Sequence, residues 1–271
     1  MRPATAGTDP AAEGRRRPVP PVPVGGYRLA GDAALDAARR SLRTEGFAVL
    51  VDVDVADDAA LLSVASGFGH VSCVGNGFPP RAIAEVRAET GTGGATLGSR
   101  RSGPFSLHTD SSGYPRPHDV VLLGCRRPDD DGGGGTLLVT VDDLVPEVPP
   151  WCVDGLGSAG FRFRAAVGRG ESWLASPVLA RNGGRYRLRY RRDEMRAAGS
   201  AAAALQRWDR QVARATPRSL LLAPGQVVVV DNLRMLHGRA DFRFPSRRHL
   251  RRLKLYADSS REGPSGAPSL W

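Results

Sequence analysis

Lysine is almost missing from this chain. Of its 38 basic residues only Lys254 is lysine, and the rest are arginine. Against 28 acidic residues they leave a formal charge of +10. Such an excess would suit a nucleic-acid surface or an anionic substrate. The arginines are spread through the chain, many on candidate strands and alongside abundant Ala and Gly. The simpler reading is therefore compositional, and no nucleic-acid partner is expected. Cysteine is scarce as well: Cys73, Cys125 and Cys152 form an odd set without a CxxC pair. That argues against a disulfide framework and a thiolate zinc site, and leaves small buried apolar side chains as the expectation. No window approaches ~20 apolar residues, so no membrane span is expected. The N-terminus carries Arg and Pro without the apolar stretch of a secretory signal, so a soluble cytoplasmic protein is expected. There is no glycine-rich dinucleotide loop and no internal repeat.

What is present is one globular stretch between two biased ends. Residues 1–26, rich in Pro, Ala, Gly and Arg, read as a disordered arm, and 259–271 as a flexible tail. The segment 27–258 reads as a single domain, which a chain of 271 residues readily accommodates. Helical spacing covers 32–44, with Asp32 as cap, 57–66, with a cap near Asp57, and 201–214. Strands are expected at 46–51, 119–125, 136–141, 185–191, 227–230 and 250–256. Strict alternation over 185–191 puts its arginines on one face, which reads as mostly solvated. Short strands with turn signals, and helices mainly at the front, predict a mainly β fold with flanking helices around a double-stranded β-helix (jelly-roll) core.

Chemistry enters with His108-Thr109-Asp110 and the distant His237. In an extended segment His-x-Asp puts both side chains on one side, because strand side chains alternate with period two. His237 follows the apolar run 227–230 and the Asp231-Asn232 turn, which places it near the strand re-entering the core. Two imidazoles and one carboxylate can hold a divalent iron on one face and leave the other open. Either piece alone is weak, since HxD is common and a lone histidine there is usually a hydrogen-bonded core residue. His70, His118 and His249 are not read as ligands.

These residues resemble the iron(II)- and 2-oxoglutarate-dependent oxygenases of the taurine dioxygenase and clavaminate synthase-like superfamily. Four elements carry the resemblance, in the family's order. They are His108-Thr109-Asp110; Gly134-Gly135-Thr136; Pro224-Gly225-Gln226 through Asp231-Asn232 to Leu236-His237-Gly238-Arg239; and Arg248 with Arg252. The resemblance implies His108, Asp110 and His237 as iron ligands. It implies Arg248, with Thr136 beside it, as the anchor for the distal carboxylate of 2-oxoglutarate. A guanidinium fork suits a carboxylate held in two-point geometry. Arg252, on the same strand face as Arg248, could grip the other 2-oxoglutarate carboxylate or an anionic substrate group. Arg247 and Arg251 fall on the opposite face, where solvation is expected, and Arg239 reads as a structural ion-pair partner. Asp231 and Asn232 read as turn formers.

The resemblance further implies a hydroxylase using Fe(II), 2-oxoglutarate and O2. Related halogenases lack the carboxylate that Asp110 supplies, so its presence favours hydroxylation or another oxygen-dependent outcome such as desaturation or ring closure. The expected substrate is a small molecule, an amino acid or its derivative in specialised metabolism such as antibiotic biosynthesis, free or presented by a carrier protein. Residues 74–80, 100–106 and 111–117 could line the pocket mouth. Two other readings compete: a basic jelly-roll module binding nucleic acid or an acidic partner, and a cupin-type sugar isomerase. The first leaves the His, Asp and Arg pattern as coincidence, and the second leaves Arg248 without a role.

Overall fold

The computed structural model describes residues 26–28, 31–74, 80–88, 103–166 and 172–257. The expected arm up to residue 25 and the tail lie outside them, as do 75–79 and 100–102 of the candidate mouth. Elements are numbered along the chain.

The described chain is mainly β. The largest sheet runs in the order β1 (Tyr27–Arg28), β2 (Phe47–Val51), β14 (Val227–Asp231), β6 (Val120–Arg127), β16 (His249–Tyr256) and β3 (His70–Val71), and β4 (Ala84–Arg87) also pairs with β16. A second sheet runs β13 (Arg218–Leu220), β7 (Thr136–Thr140), β15 (Met235–Arg239), β5 (Phe105–His108). Strands β12 (Met195–Ala197), β8 (Phe161–Arg164) and β9 (Trp173–Ala175) form a third, and β10 (Leu179–Asn182) with β11 (Arg185–Leu188) a hairpin. The helices are α1 (Asp32–Glu45), α2 (Asp58–Ser66), α3 (Val141–Leu144), α4 (Pro150–Leu156) and α5 (Ser200–Arg214).

Alternation along β14 fixes the layering. Val227 and Val229 join Ala38 of α1 and Leu61 and Ala65 of α2 in one core cluster. Val228 and Val230 point the other way and pack with Leu138 of β7 and Met235 of β15. Being apolar on both faces, as a strand covered on both sides must be, β14 sits between β2 and β6. A third cluster lies beyond the second sheet, where Leu236 and Val139 meet Cys152 and Leu156 of α4 and Trp208 of α5. The order is thus helices, large sheet, inter-sheet core, small sheet, helices.

Local capping explains where helices begin. Asp57 caps α2, accepting from the amides of Ala59 and Ala60, which removes two otherwise unpaired N–H groups. Asp32 makes no such cap: it is already inside α1, behind Gly31, where its charge still suits the helix dipole. Thr140 ends β7 and caps α3. Cys125 and Cys152 are buried as expected, but Cys73 is exposed. No described helix is long and apolar enough to cross a membrane.

Candidate metal and anion site

The two distant histidines meet because their strands are neighbours. His237 of β15 pairs directly with His108 of β5 on one side and with Leu138 of β7 on the other. Their rings lie 4.6 Å apart, centroid to centroid. Asp110 is no longer in the strand; it begins the turn after it. Its carboxylate still reaches the pair, with Oδ1 3.5 Å from His108 Nε2 and 3.9 Å from His237 Nε2. One ligand atom from each residue fits within a 4.8 Å span, and all three residues are buried.

The backbone after His108 is held from three sides. Asn232 is fully buried. Its Oδ1 accepts from the Asp110 amide at 2.7 Å, and its Nδ2 donates to the carbonyls of Asp110 (3.0 Å) and His118 (2.7 Å). Thr109 pairs with Tyr190 through both its amide and its hydroxyl. Arg189 is buried, and its guanidinium donates to the carbonyls of Ser112, Tyr114 and Pro115 at 3.0–3.1 Å. The solvated face expected for 185–191 therefore fails at Arg189, which clamps the 111–117 loop. Ser111 adopts φ 63°, a left-handed value uncommon outside glycine, as the chain turns away from Asp110.

Electrostatics favour a neutral imidazole beside an ionised carboxylate. Burial pushes His108 down to about 4, against the pull of Asp110 and with the push of His237 and Arg191. Its Nδ1 lies 2.7 Å from the Ser106 carbonyl. Holding the proton there leaves the Nε2 lone pair facing Asp110. His237 Nδ1 is buried without a hydrogen-bond partner among the described residues. Burial would raise Asp110, but Lys254 and Arg252, with smaller help from the histidines, hold it well below the usual carboxylate range. Lys254 Nζ is 3.2 Å and Arg252 Nη1 3.3 Å from Asp110 Oδ2. These are close ion pairs without aligned hydrogen bonds at that oxygen.

All six residues singled out in the sequence line one open pocket: His108, Asp110, Thr136, His237, Arg248 and Arg252. Its apolar wall comes from Val86, Phe105, Val121, Leu123 and Leu250. Arg248 is buried, its guanidinium has no carboxylate within ion-pair distance among the described residues, and burial lowers it to about 10. Gly134 explains how it fits. A Cβ there would sit 2.8 Å from Arg248 Cδ and Nε, and the residue has φ 68°, so only glycine leaves room for the side chain. Buried Thr136 follows two residues later and pairs across to Arg239.

One other expectation needs correction. Arg251 is buried rather than solvated: it bonds the carbonyls of Val55 and Ala56 and pairs with Asp58 and Glu85, tying β16 to the start of α2. Arg247 is exposed as expected and pairs with Asp130. Arg239 donates to the carbonyls of Gly103 and Ala240 and lies over Phe242. His118 contacts Ser111 Oγ at 2.6 Å and stacks on Tyr256. His249 pairs with Glu85. Lys254 was absent from the sequence-derived set. Its signal was its place, six residues after Arg248 and so on the same strand face.

The family model described as taurine catabolism dioxygenase TauD, TfdA family matches residues 16–150 and 174–254. Among solved structures, an asparagine oxygenase in complex with Fe(II), hydroxyasparagine and succinate aligns at TM-score 0.71 and 24% identity, over 83% of this chain and 78% of that one. A non-heme iron oxygenase, OrfP, with Fe and alpha-ketoglutaric acid aligns at 0.69 and 17%, over 85% and 82%. The same protein with Fe, succinate and (3S)-hydroxy-L-Arg aligns at 0.70 and 16%, over 89% and 85%. At these identities the likeness is one of fold. No curated protein matches the chain in sequence.

Proposed function

Because this chain belongs to the taurine catabolism dioxygenase TauD/TfdA family, we propose that it hydroxylates an unactivated C–H bond of a small molecule, an amino acid or amino-acid derivative. It is a 2-oxoglutarate-dependent dioxygenase whose cofactors are ferrous iron, 2-oxoglutarate and dioxygen. The apposed sheets are read as a jelly-roll core within one domain.

A single observation carries the reading. Two imidazole nitrogens and one carboxylate oxygen converge in the cavity that also holds buried Arg248, which has no carboxylate partner among the described residues. The donor set fits ferrous iron: two neutral nitrogens and one anionic oxygen form a facial triad. His108, Asp110 and His237 would hold the metal. The Arg248 fork would take the distal carboxylate of 2-oxoglutarate, with the Thr136 hydroxyl on a remaining lone pair. Arg252 would take a second anionic group, from cosubstrate or substrate. Bound there, iron with 2-oxoglutarate and dioxygen supplies the oxidising power for C–H hydroxylation, with succinate and carbon dioxide as co-products.

The protein's part is placement. Ser106 fixes the His108 ring, Asn232 and Arg189 fix the turn that presents Asp110, and Gly134 clears the path for Arg248. The apolar wall of Val86, Phe105, Val121, Leu123 and Leu250 would limit water on one side of the reacting face. Free amino acids are the first substrates to test, since two of the structural neighbours hold hydroxylated amino acids. Carrier-bound forms follow.

The anaerobic protein given Fe(II) and 2-oxoglutarate is expected to develop a visible charge-transfer band that His108→Ala abolishes. A mass-spectrometric screen of amino acids should then find one that gains an oxygen atom with matched succinate release. No band and no substrate-dependent succinate from the wild type would refute the reading.

A further inference from the structure

We propose that Lys254 is a positioning residue that holds Asp110 to single-oxygen ligation and tempers its grip on the metal. The inference rests on the reading of Asp110 as a ligand. Lys254 is the only lysine in the sequence, and it lies buried behind this carboxylate. Its Nζ is 3.2 Å from Asp110 Oδ2 and 3.3 Å from Ser111 Oγ. It does not line the cavity, whereas Arg252 does. The ammonium therefore acts through Asp110 and not on a substrate.

The two oxygens of Asp110 have separate partners. Oδ1 faces the imidazole nitrogens of His108 and His237. Oδ2 is flanked by two cations, Arg252 and Lys254. A carboxylate that gave both oxygens to a metal would occupy an extra position on the open face. Cations on Oδ2 prevent that rotation and keep the face free for a chelating cosubstrate and oxygen. They also compete with the metal for the same negative charge and repel it across a buried site. Both effects weaken metal binding, and both favour an anionic chelator at the metal.

Lys254 is thus expected to trade metal affinity for cosubstrate affinity, which gives its removal an unusual signature. Ordinary structural damage would weaken both ligands. Without the ammonium, metal should bind more tightly and 2-oxoglutarate less tightly.

The test uses Lys254→Met and Lys254→Gln, one apolar and one polar, so that a variant that fails to fold does not end the experiment. Co(II) affinity is measured anaerobically by chelator competition, 2-oxoglutarate affinity on the Co(II) protein, and ligand geometry from the visible Co(II) absorption. Each folded variant is expected to bind Co(II) about tenfold more tightly and 2-oxoglutarate about tenfold more weakly. Its cobalt absorption should differ from the wild type's. Cobalt affinity that is unchanged or weaker in the folded variants overturns the role given to Lys254 while the three ligands stand. A wild-type protein that takes up no cobalt overturns both.

Discussion

Removing the side chain of Asn232 should loosen the proposed iron site without touching a ligand. Asn232 is fully buried and serves three backbone groups: the amide and carbonyl of Asp110 and the carbonyl of His118. Asn232→Ala leaves all three without that partner. A buried backbone group left unsatisfied costs about 1–3 kcal/mol, so three of them, partly relaxed, imply a loss of roughly 3–5 kcal/mol. Set against typical total stabilities of about 5–15 kcal/mol, that is a large fraction. For a chain of this size it corresponds to a melting point lower by roughly 10 °C. Asn232→Asp keeps the acceptor, loses both donors and turns a negative oxygen toward two carbonyls, so it should lose at least as much. Urea unfolding of the metal-free proteins gives the stability difference. A cobalt titration gives the second readout, because a turn that no longer presents Asp110 should bind metal more weakly. A loss under about 1 kcal/mol with unchanged metal affinity would refute the claim that this amide holds the His-Thr-Asp turn.

Other substitutions probe the same site from different sides. Gly134→Ala should push Arg248 aside and weaken 2-oxoglutarate by about tenfold or more while metal affinity stays put; equilibrium binding of both ligands checks it, and an equal loss of both would contradict it. Arg248→Lys keeps the charge but loses the fork, so 2-oxoglutarate affinity should still fall at least about tenfold; wild-type binding by this variant would remove Arg248 from the anchor role. Arg189→Met abandons three carbonyls and should destabilise the fold by about 2–4 kcal/mol, with faster proteolysis in 111–117; resistance equal to the wild type's would count against the clamp. His118 supplies a pH test. Burial, together with Lys254, lowers it from 6.5 to about 4 despite the pull of Asp110. The unfolded chain therefore takes up its proton at higher pH than the folded one, and stability falls as pH drops through that window. The full difference is up to about 3 kcal/mol. His118→Asn should flatten the slope of unfolding free energy against pH between the two values, and an unchanged slope would rule the histidine out.

Strong periodicity made much of the fold legible in advance. The helices at α1, α2 and α5 and the valine run of β14 emerge within a residue or two, because long amphipathic or wholly apolar stretches have few alternatives. The segment from 142 to 184 gave no comparable signal. Its described strands are only three or four residues long, and arginines interrupt β8 and β10. Of the six proposed site residues, period-two spacing grouped His108 with Asp110 and Arg248 with Arg252, while the resemblance to the 2-oxoglutarate-dependent oxygenases supplied the roles of His237, Thr136 and Arg248. Arg189 and Arg251 were not legible. In sequence a charged residue on an alternating strand looks solvated. Only the fold reveals that carbonyls and acids await the guanidinium. Lys254 escaped for the same reason, since its partner Asp110 is far away in sequence.

The direct pairing of His108 with His237 has a consequence for how the molecule matures. If β15 docked one residue out of step, His237 would swing to the far side of its sheet. The nitrogen pair would never assemble, however well the rest of the fold packed. If these residues hold the metal as proposed, ability to take up a divalent ion is a test of correct assembly. Spectroscopic cobalt loading of freshly refolded protein counts properly threaded molecules and ignores compact impostors.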